Sequence, residues 1–200
     1  MKKEWLRLWL MGVFIFCLVL PLLALAADQT PRPGQWATPV NDPALKNFYK
    51  VDDHLYRSAQ PDDTGMKALE QRGIKSVLNL REFHSDKDEA EGTALKLIDV
   101  PMNAAKIKDE DVITALKTIQ SAQGPILVHC WHGSDRTGAV IAMYRIIIQG
   151  WSKQAAIDEL VNGGYGYHSI YGNIVQYLEN VNVTGIKSAL ASGNQGKDGK

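Results

Sequence analysis

Residues 126–138 read ILVHCWHGSDRTG, and this stretch decides the fold that the sequence predicts. The run ILVHC is typical of a short strand buried inside a covered parallel sheet. Apolar residues at helical spacing follow from Thr137 to the stop at Gly150. A strand, a tight loop and a helix start therefore meet at one point.

That junction predicts an anion-binding loop. Helix N-termini carry unpaired N–H donors and partial positive charge, and a loop of inward-facing amides forms a nest for a phosphate-sized group. Gly133 and Gly138 suit close backbone approach and helix packing. Cys130 stands at the floor of the loop, where these donors favour the nucleophilic thiolate. The loop therefore predicts attack by sulfur on phosphorus.

Two residues at the helix start complete the predicted chemistry. Arg136 can return over the loop and offer two parallel donors to a phosphoryl group, which a lysine cannot do. The equatorial oxygens would then meet the loop amides and the guanidinium together. The hydroxyl of Thr137 is expected to bond the sulfur and stabilise it as a leaving group. We expect no metal and no cofactor, because His54, His84 and His168 occur singly, without metal-ligand spacing.

The order His-Cys, five residues, Arg, Thr resembles the signature of the cysteine-dependent protein tyrosine phosphatases, and the size resembles their small dual-specificity group. The segments LYRSAQP (55–61) and YRIIIQGWSKQAAIDEL (144–160) are similar to exported bacterial members, so the resemblance spans roughly residues 45–182. It implies that Cys130 is the nucleophile, Arg136 binds phosphate and His129 steadies the loop. It also implies a phosphate cradle formed by the backbone of Trp131, His132, Gly133, Ser134 and Asp135.

The general acid is the point where the chain departs from this family. The family carries an aspartic acid on a separate loop, where this sequence has Asn103, Ala104 and Ala105. Asp135 is the first candidate, since a Cys, four residues, Asp, Arg order is similar to myotubularin-type and Sac-type phosphoinositide phosphatases. Asp109, expected to begin a helix, is the alternative, and Asp99 is a weaker one. Asp135 could equally be a structural partner in the loop.

Strands alternate with helices along the chain. We predict an α/β fold, a single three-layer domain with a largely parallel central sheet flanked by helices, as the dual-specificity resemblance also implies. The remaining elements are expected as a hairpin across Asp52–Asp53, a helix from Asp62 or Asp63 to Gln71, strands in 75–80 and 95–102, and helices in 109–123, after Ser152 and in 169–181.

The N-terminus carries a predicted signal peptide. Lys2, Lys3 and Arg7 precede an apolar run that ends in an Ala-Leu-Ala site at residues 24–26. We expect residues 1–26 to be removed and the protein to be exported to a periplasm; the alternative is an uncleaved membrane anchor. Residues 27–44 are predicted to be an extended lead-in, 45–186 the phosphatase domain and 187–200 a flexible tail.

Net charge and cysteine content restrict the kinds of binding partner and covalent cross-link that we expect. The formal net charge is 0 at pH 7 and basic residues are not clustered, so we expect no nucleic-acid partner. After removal of Cys17, Cys130 is the one remaining cysteine, and no internal disulfide can form. The predicted substrate is a phosphorylated protein or, alternatively, a phosphoinositide or inositol phosphate. A catalytically weak phosphate-binding module and a rhodanese-like sulfur enzyme are the competing hypotheses. No stable membrane insertion is expected if the signal is cleaved.

Overall fold

The computed structural model describes residues 32–192. A compact unit begins at Gly34. The predicted signal peptide 1–26 lies outside the described residues, as does the end of the predicted tail. Within residues 32–192 the helices are all too short or too polar to cross a bilayer.

One sheet forms the centre of the described region. Its strands are β1 (Thr38–Pro39), β2 (Tyr49–Lys50), β3 (Leu55–Ser58), β4 (Ser76–Asn79), β5 (Lys96–Asp99) and β6 (Ile126–His129), in the order β1-β2-β3-β6-β4-β5. Strands β3, β6, β4 and β5 run parallel, and β1 and β2 extend the β3 edge in antiparallel fashion. The predicted α/β fold with a largely parallel sheet is confirmed.

Helices cover both faces of this sheet. They are α1 (Asp63–Gln71), α2 (Asp109–Ser121), α3 (Asp135–Ile147), α4 (Lys153–Asn162), a 3₁₀ helix (Ser169–Tyr171), α5 (Gly172–Asn180) and α6 (Val183–Ser192). Strand β6 shows how the layers arise, because Ile126 and Val128 belong to one apolar core while Leu127 belongs to the other. Alternate side chains of a strand point to opposite faces.

Local signals explain where several elements begin and end. The carboxylate of Asp52 accepts the backbone N–H groups of His54 and Leu55, which closes the hairpin between β2 and β3. Asp62 caps α1 by accepting the N–H of Gly65 at 2.8 Å. Gly73 follows that helix with φ of +84°, as a helix stop requires.

The chain ends differ from the prediction. The lead-in is not merely extended, because Thr38 and Pro39 pair with β2 and Ala37 is fully buried. At the other end, α6 runs to Ser192 and crosses the predicted domain boundary at residue 186. Its buried Ile186 and Leu190 lie one helical turn apart and pack against the larger core, which explains why this segment is helical.

Candidate active site

The loop that joins β6 to α3 is built around a buried cysteine. Cys130 follows the last residue of β6 at the carboxyl end of the central parallel strands and is 2 % exposed. The next residue, Trp131, is 54 % exposed. Ser134 is the N-cap residue of α3, which begins at Asp135, slightly earlier than predicted. The thiol therefore lies at the floor of a loop that opens to solvent and leads into a helix N-terminus.

The carbonyl groups of this loop face away from its centre. The carbonyl of Trp131 accepts the N–H of Gln60 at 3.1 Å, and that of His132 accepts from Asn47 Nδ2 at 2.9 Å. The carbonyl of Gly133 accepts from a guanidinium nitrogen of Arg57 at 2.6 Å. In a trans peptide the C=O and the following N–H point in opposite directions. The N–H groups of residues 132–134 are therefore directed into the loop, as an anion site requires.

Gly133 is needed for this shape. Its φ of +71° lies in the left-handed region, and a Cβ there would collide with the backbone of Ser58 and Ala59. The loop thus packs directly on the end of strand β3. No residue with a side chain fits both the dihedral angle and the contact.

Arg57 supports the loop from below. Its guanidinium is completely buried, donates to the Gly133 carbonyl and stacks on the ring of Tyr165 at 3.6 Å. Burial lowers the pKa of Arg57, while charges including Glu159 and Cys130 oppose that change. Arginine stays protonated in proteins, so this side chain places a cation beneath the thiol. The motif LYRSAQP contained Arg57, but sequence analysis gave it no role.

His129 links the loop to a distant segment. Its Nε2 lies 2.7 Å from Oδ2 of Asp86, and both side chains are buried. Gln60 donates to the other carboxylate oxygen at 2.8 Å and accepts from Arg81, whose guanidinium lies 4.2 Å from the centre of the Trp131 ring. Burial acts to raise the pKa of Asp86, but the hydrogen bond and charge of His129 outweigh it and the pKa is lowered. Asp86 is therefore the partner through which His129 can hold the loop in place, the role that sequence analysis expected of His129.

Arg136 and Thr137 occupy the first turn of α3. Arg136 is partly exposed and has one long contact, 3.5 Å, to the carbonyl of Leu80. Its guanidinium is therefore largely available to a ligand. The hydroxyl of Thr137 is buried and, within residues 32–192, has no hydrogen-bond partner. The expected bond from Thr137 to the Cys130 sulfur is not formed in this structure.

A cavity of about 310 Å³ opens above the loop. Three segments form its walls: the loop between β6 and α3 (the signature loop), the loop between β5 and α2 (the Ala104 loop), and the segment before α5. The residues that line the cavity are Ala104, Trp131, His132, Asp135, Arg136, His168, Ile170 and Tyr171. Ile170 is 86 % exposed at the rim. On the other side of Trp131 and His132 lies a second cavity of about 510 Å³, bordered by Lys46 and Gln60. A cavity of the first size suits one phosphate ester group.

Asp135 has both carboxylate oxygens occupied. Oδ1 accepts the backbone N–H of His168 at 3.0 Å, and Oδ2 lies 2.9 Å from the ring Nδ1 of the same residue. The side chain of Asp135 is 8 % exposed and that of His168 is 45 % exposed. The structural role weighed for Asp135 is therefore present, and the residue also borders the cavity.

The other acid candidates lie elsewhere. Asp109 begins α2 and accepts the hydroxyl of Tyr177 at 2.7 Å, and burial together with this bond raises the pKa of Tyr177. Asp99 ends β5 and accepts from Asn79. Neither borders the cavity described above. Ala104 does border it, but its loop brings no carboxylate there.

Two groups of side chains come close enough to hold a metal ion. They are His132, Asp135 and His168, and His84, Asp86 and Glu89. Sequence analysis treated these histidines as isolated and expected no metal, whereas folding brings each beside a carboxylate. In both groups an imidazole–carboxylate contact, 2.9 Å at His168 and 3.0 Å at His84, already accounts for the short distances. The proximity alone therefore does not indicate an ion.

The predicted site residues fall into two sets. Cys130, Trp131, His132, Gly133, Ser134, Asp135, Arg136, His129 and Thr137 lie together on the loop and helix start, while Asp109 lies apart. Sequence analysis missed four contributors, Arg57, Gln60, Asp86 and His168. Sequence analysis gave no role to the segment that holds Asp86, and it considered His168 only as a histidine without metal-ligand spacing.

Comparison with known proteins gives a consistent result. Residues 44–188 match the tyrosine phosphatase family. The chain is 39 % identical over 194 residues to the dual specificity protein phosphatase TpbA of Pseudomonas aeruginosa strain UCBPP-PA14, covering 94 % of this chain and 86 % of that protein.

Solved structures agree with the sequence match. A Cys-to-Ser variant of P. aeruginosa TpbA in complex with phosphotyrosine has a TM-score of 0.74 and 34 % identity, covering 82 % of this chain and 100 % of that chain. The core catalytic domain of the PP-IP phosphatase SIW14 from S. cerevisiae, in complex with citrate, has a TM-score of 0.64 and 28 % identity, covering 75 % of this chain and 94 % of that chain.

Proposed function

This chain belongs to the tyrosine phosphatase family as a cysteine-dependent, dual-specificity-type enzyme, and on that premise we propose that it removes phosphate from phosphotyrosine in proteins through Cys130. The observation that carries the proposal is the loop itself. Three consecutive carbonyls, from Trp131 to Gly133, are held outward, so the following amides face the space above a buried thiol.

The first step transfers the phosphoryl group to sulfur. The Cys130 thiolate attacks phosphorus, the bond from phosphorus to the substrate oxygen breaks, and that oxygen takes a proton as it leaves. The loop amides and the Arg136 guanidinium bind the equatorial oxygens, where negative charge is spread in the transition state. The buried cation of Arg57 supports the loop and adds positive charge near the attacking sulfur.

The second step releases phosphate. Water attacks the cysteinyl phosphate, loses a proton to a base, and the sulfur–phosphorus bond breaks to restore the thiolate. The buried Thr137 hydroxyl has no hydrogen-bond partner among the described residues, and we assign it as the donor to the departing sulfur. The same donors that bound the first transition state then serve the second.

The surroundings of the loop favour phosphotyrosine. The thiol is buried, and two exposed apolar side chains, Trp131 and Ile170, border the cavity above the loop. An aromatic phosphate ester suits these surroundings better than a short phosphoserine. Relatives of this chain include the TpbA variant bound to phosphotyrosine.

Inositol phosphates are the second candidate. The similarity to SIW14, a PP-IP phosphatase, supports it. A densely phosphorylated ring needs several cations, and the two cavities beside Trp131 offer Arg136 and Lys46, with Arg81 stacked on the tryptophan ring. Asp135 and Asp62 border the same cavities and oppose a polyanion. The charge balance therefore ranks this candidate below phosphotyrosine.

The test is a comparison of kcat/KM for phosphotyrosine peptides and for inositol phosphates, with Cys130→Ser beside the wild type. We expect phosphotyrosine to be preferred and Cys130→Ser to lose activity by at least about 10³-fold. Cys130→Ser should still bind a phosphotyrosine peptide. Turnover by Cys130→Ser at the wild-type rate would refute the mechanism, and preference for the inositol phosphates would refute the substrate class.

We also propose that residues 1–26 direct export and are removed after Ala26. The proposal rests on the basic start, the apolar run and the Ala-Leu-Ala site. N-terminal sequencing of the protein from a periplasmic fraction tests it. A mature chain that begins at Ala27 supports cleavage, and an intact chain in the membrane fraction supports the anchor instead.

A further inference from the structure

The pairing of His168 with Asp135 identifies a group that can handle protons beside the phosphate loop. The imidazole borders the same cavity as Arg136, and Asp135 contacts both the ring Nδ1 and the backbone N–H of His168. From this arrangement we propose that His168 is the general acid and base of the reaction and that Asp135 positions it. The inference rests on the proposed function and assigns a role within it.

Asp135 is poorly placed to give up a proton itself. Its Oδ1 accepts a backbone N–H, a group that can only donate, and its Oδ2 faces the Nδ1 of His168. Both carboxylate oxygens are therefore already engaged by His168. To act as the acid, Asp135 would have to break the bond to the ring and turn into the cavity.

His168 has the arrangement that such a role requires. The contact between Nδ1 and Asp135 Oδ2 fixes the orientation of the ring, as the aspartate does for the histidine of serine hydrolases, and the proposal places a hydrogen on Nδ1 that is donated to the carboxylate. Nε2 is the other ring nitrogen and has no hydrogen-bond partner within residues 32–192. Nearly half of the side chain is exposed, so Nε2 can exchange protons with water and substrate.

No other described residue of the cavity wall offers the same combination. His132 borders the cavity, but no hydrogen bond to a carboxylate orients its ring, and the two rings lie 5.1 Å apart. The Ala104 loop carries no carboxylate to this place. Histidines commonly change charge between pH 5 and 8, which suits a group that must both give and take a proton.

The proton that His168 gives in the first step is recovered in the second. In the first step, Nε2–H of the imidazolium protonates the leaving oxygen as sulfur bonds to phosphorus, which leaves a neutral imidazole. In the second step, Nε2 takes a proton from the attacking water as the sulfur–phosphorus bond breaks. The imidazolium and the thiolate are both restored, and inorganic phosphate is released.

The test is the dependence of kcat/KM on the leaving group, because kcat/KM reports the transfer of the phosphoryl group to sulfur and not the later hydrolysis of the cysteinyl phosphate, for which His168 is also the base. We compare the full-length wild type with His168→Asn on phosphate esters from 2,4-dinitrophenyl to alkyl phosphate. We expect His168→Asn to react with the dinitrophenyl ester within about threefold of the wild type and to slow the alkyl ester by about 10²- to 10⁴-fold. A merely structural role of His168 would slow all esters by one factor, and that result would overturn the proposal.

The pH profile gives a second readout. On poor leaving groups the wild-type kcat/KM should fall towards high pH because the proton donor to the leaving oxygen is lost, and His168→Asn should lack this falling limb. Retention of the limb in the variant would contradict the proposal. The titratable and charged groups around the ring are Asp135, Arg136, His132, Tyr167 and Tyr171.

A matched control and Cys130→Ser separate the possible failures. His54→Asn removes a histidine at the opposite, amino end of β3, where its Nε2 contacts the Ile119 carbonyl. This control should leave the dependence of the rate on the leaving group unchanged. If the wild type does not hydrolyse the dinitrophenyl ester through Cys130, the proposed function fails. If it does, and His168→Asn shows the same dependence on the leaving group as the wild type, only the assignment of His168 fails.

Discussion

His129 Nε2 and Asp86 Oδ2 are joined by a 2.7 Å contact, although 43 positions separate the two residues in the chain. This contact joins the end of the central strand β6 to the segment that holds Asp86, to which sequence analysis gave no role. Strand β4 pairs with β6 and ends at Asn79, and the N–H of the next residue, Leu80, donates to the His129 carbonyl. The first prediction concerns this pair.

Asp86→Asn should destabilise the fold by about 1–3 kcal/mol at pH 7, because it weakens a buried hydrogen bond to His129. The pKa of Asp86 is lowered in the folded protein. Its contribution is therefore present above the unfolded value of about 3.9 and is lost as the pH falls through the lowered folded value. Urea unfolding from pH 7 to pH 3 should show the wild type and the variant converging.

Asp88→Asn, at an exposed position two residues away, is the matched control and should change the free energy of unfolding little at any pH. A stability difference for Asp86→Asn that stays constant down to pH 3 would count against this account.

Gly133→Ala tests the packing of the signature loop. Gly92 also has positive φ, +78°, but open space surrounds it, whereas a Cβ at Gly133 meets the backbone of Ser58. We expect Gly92→Ala to cost about 1–2 kcal/mol. Gly133→Ala should cost at least about 3 kcal/mol, because collision adds to strain. Thermal unfolding measures both, and equal costs would show that the contact with β3 is unimportant.

Arg57→Met tests the support beneath the loop. Loss of the donor to the Gly133 carbonyl should let the loop amides turn, and misplacement of transition-state donors can cost about 10²-fold in rate. Because the loop binds every substrate, kcat/KM should fall by the same factor for good and poor leaving groups, unlike His168→Asn. Arg72→Met, in an exposed ion pair with Asp42, is the control and should leave kcat/KM unchanged.

Glu159→Gln should be strongly destabilising. Glu159 is paired with buried Arg145 at 2.7 Å and also accepts the N–H of Ala37 and the hydroxyl of Tyr165. Burial acts to raise the pKa of Glu159, but Arg145 outweighs it and the pKa is lowered. Breaking a buried pair from one side costs about 3–5 kcal/mol. Chemical denaturation at neutral pH measures this.

The exposed Glu179→Gln substitution is the comparison for Glu159→Gln and should cost well under 1 kcal/mol, about the value of a surface charge. A similar loss in both variants would mean that the buried pair contributes no more than a surface group does.

The centre of the fold was predictable because its signals are local. The apolar run of β6, the cap at Asp62 and the positive φ at Gly73 each depend on a few neighbouring residues. The spacing of Cys130 and Arg136 likewise describes one loop and one helix start. Such features need no knowledge of how distant segments meet.

The rest of the site depends on contacts between distant segments. Arg57, Asp86 and His168 reach the loop from β3, from the segment after β4 and from the segment after α4. No spacing rule joins these residues to Cys130. The assignment of Asp135 as acid illustrates the difficulty, because its sequence position placed it correctly beside the cavity but could not reveal that both of its oxygens were occupied.

The two residues of β1 protect one side of the sheet. Thr38 and Pro39 cover the outer side of β2, and Pro39 has no N–H to offer to another strand. A truncated protein that started at residue 45 would present Tyr49 and Lys50 as an open edge, which invites pairing with a second molecule. Strand β1 therefore covers the edge of β2 and disfavours aggregation of the protein through strand pairing.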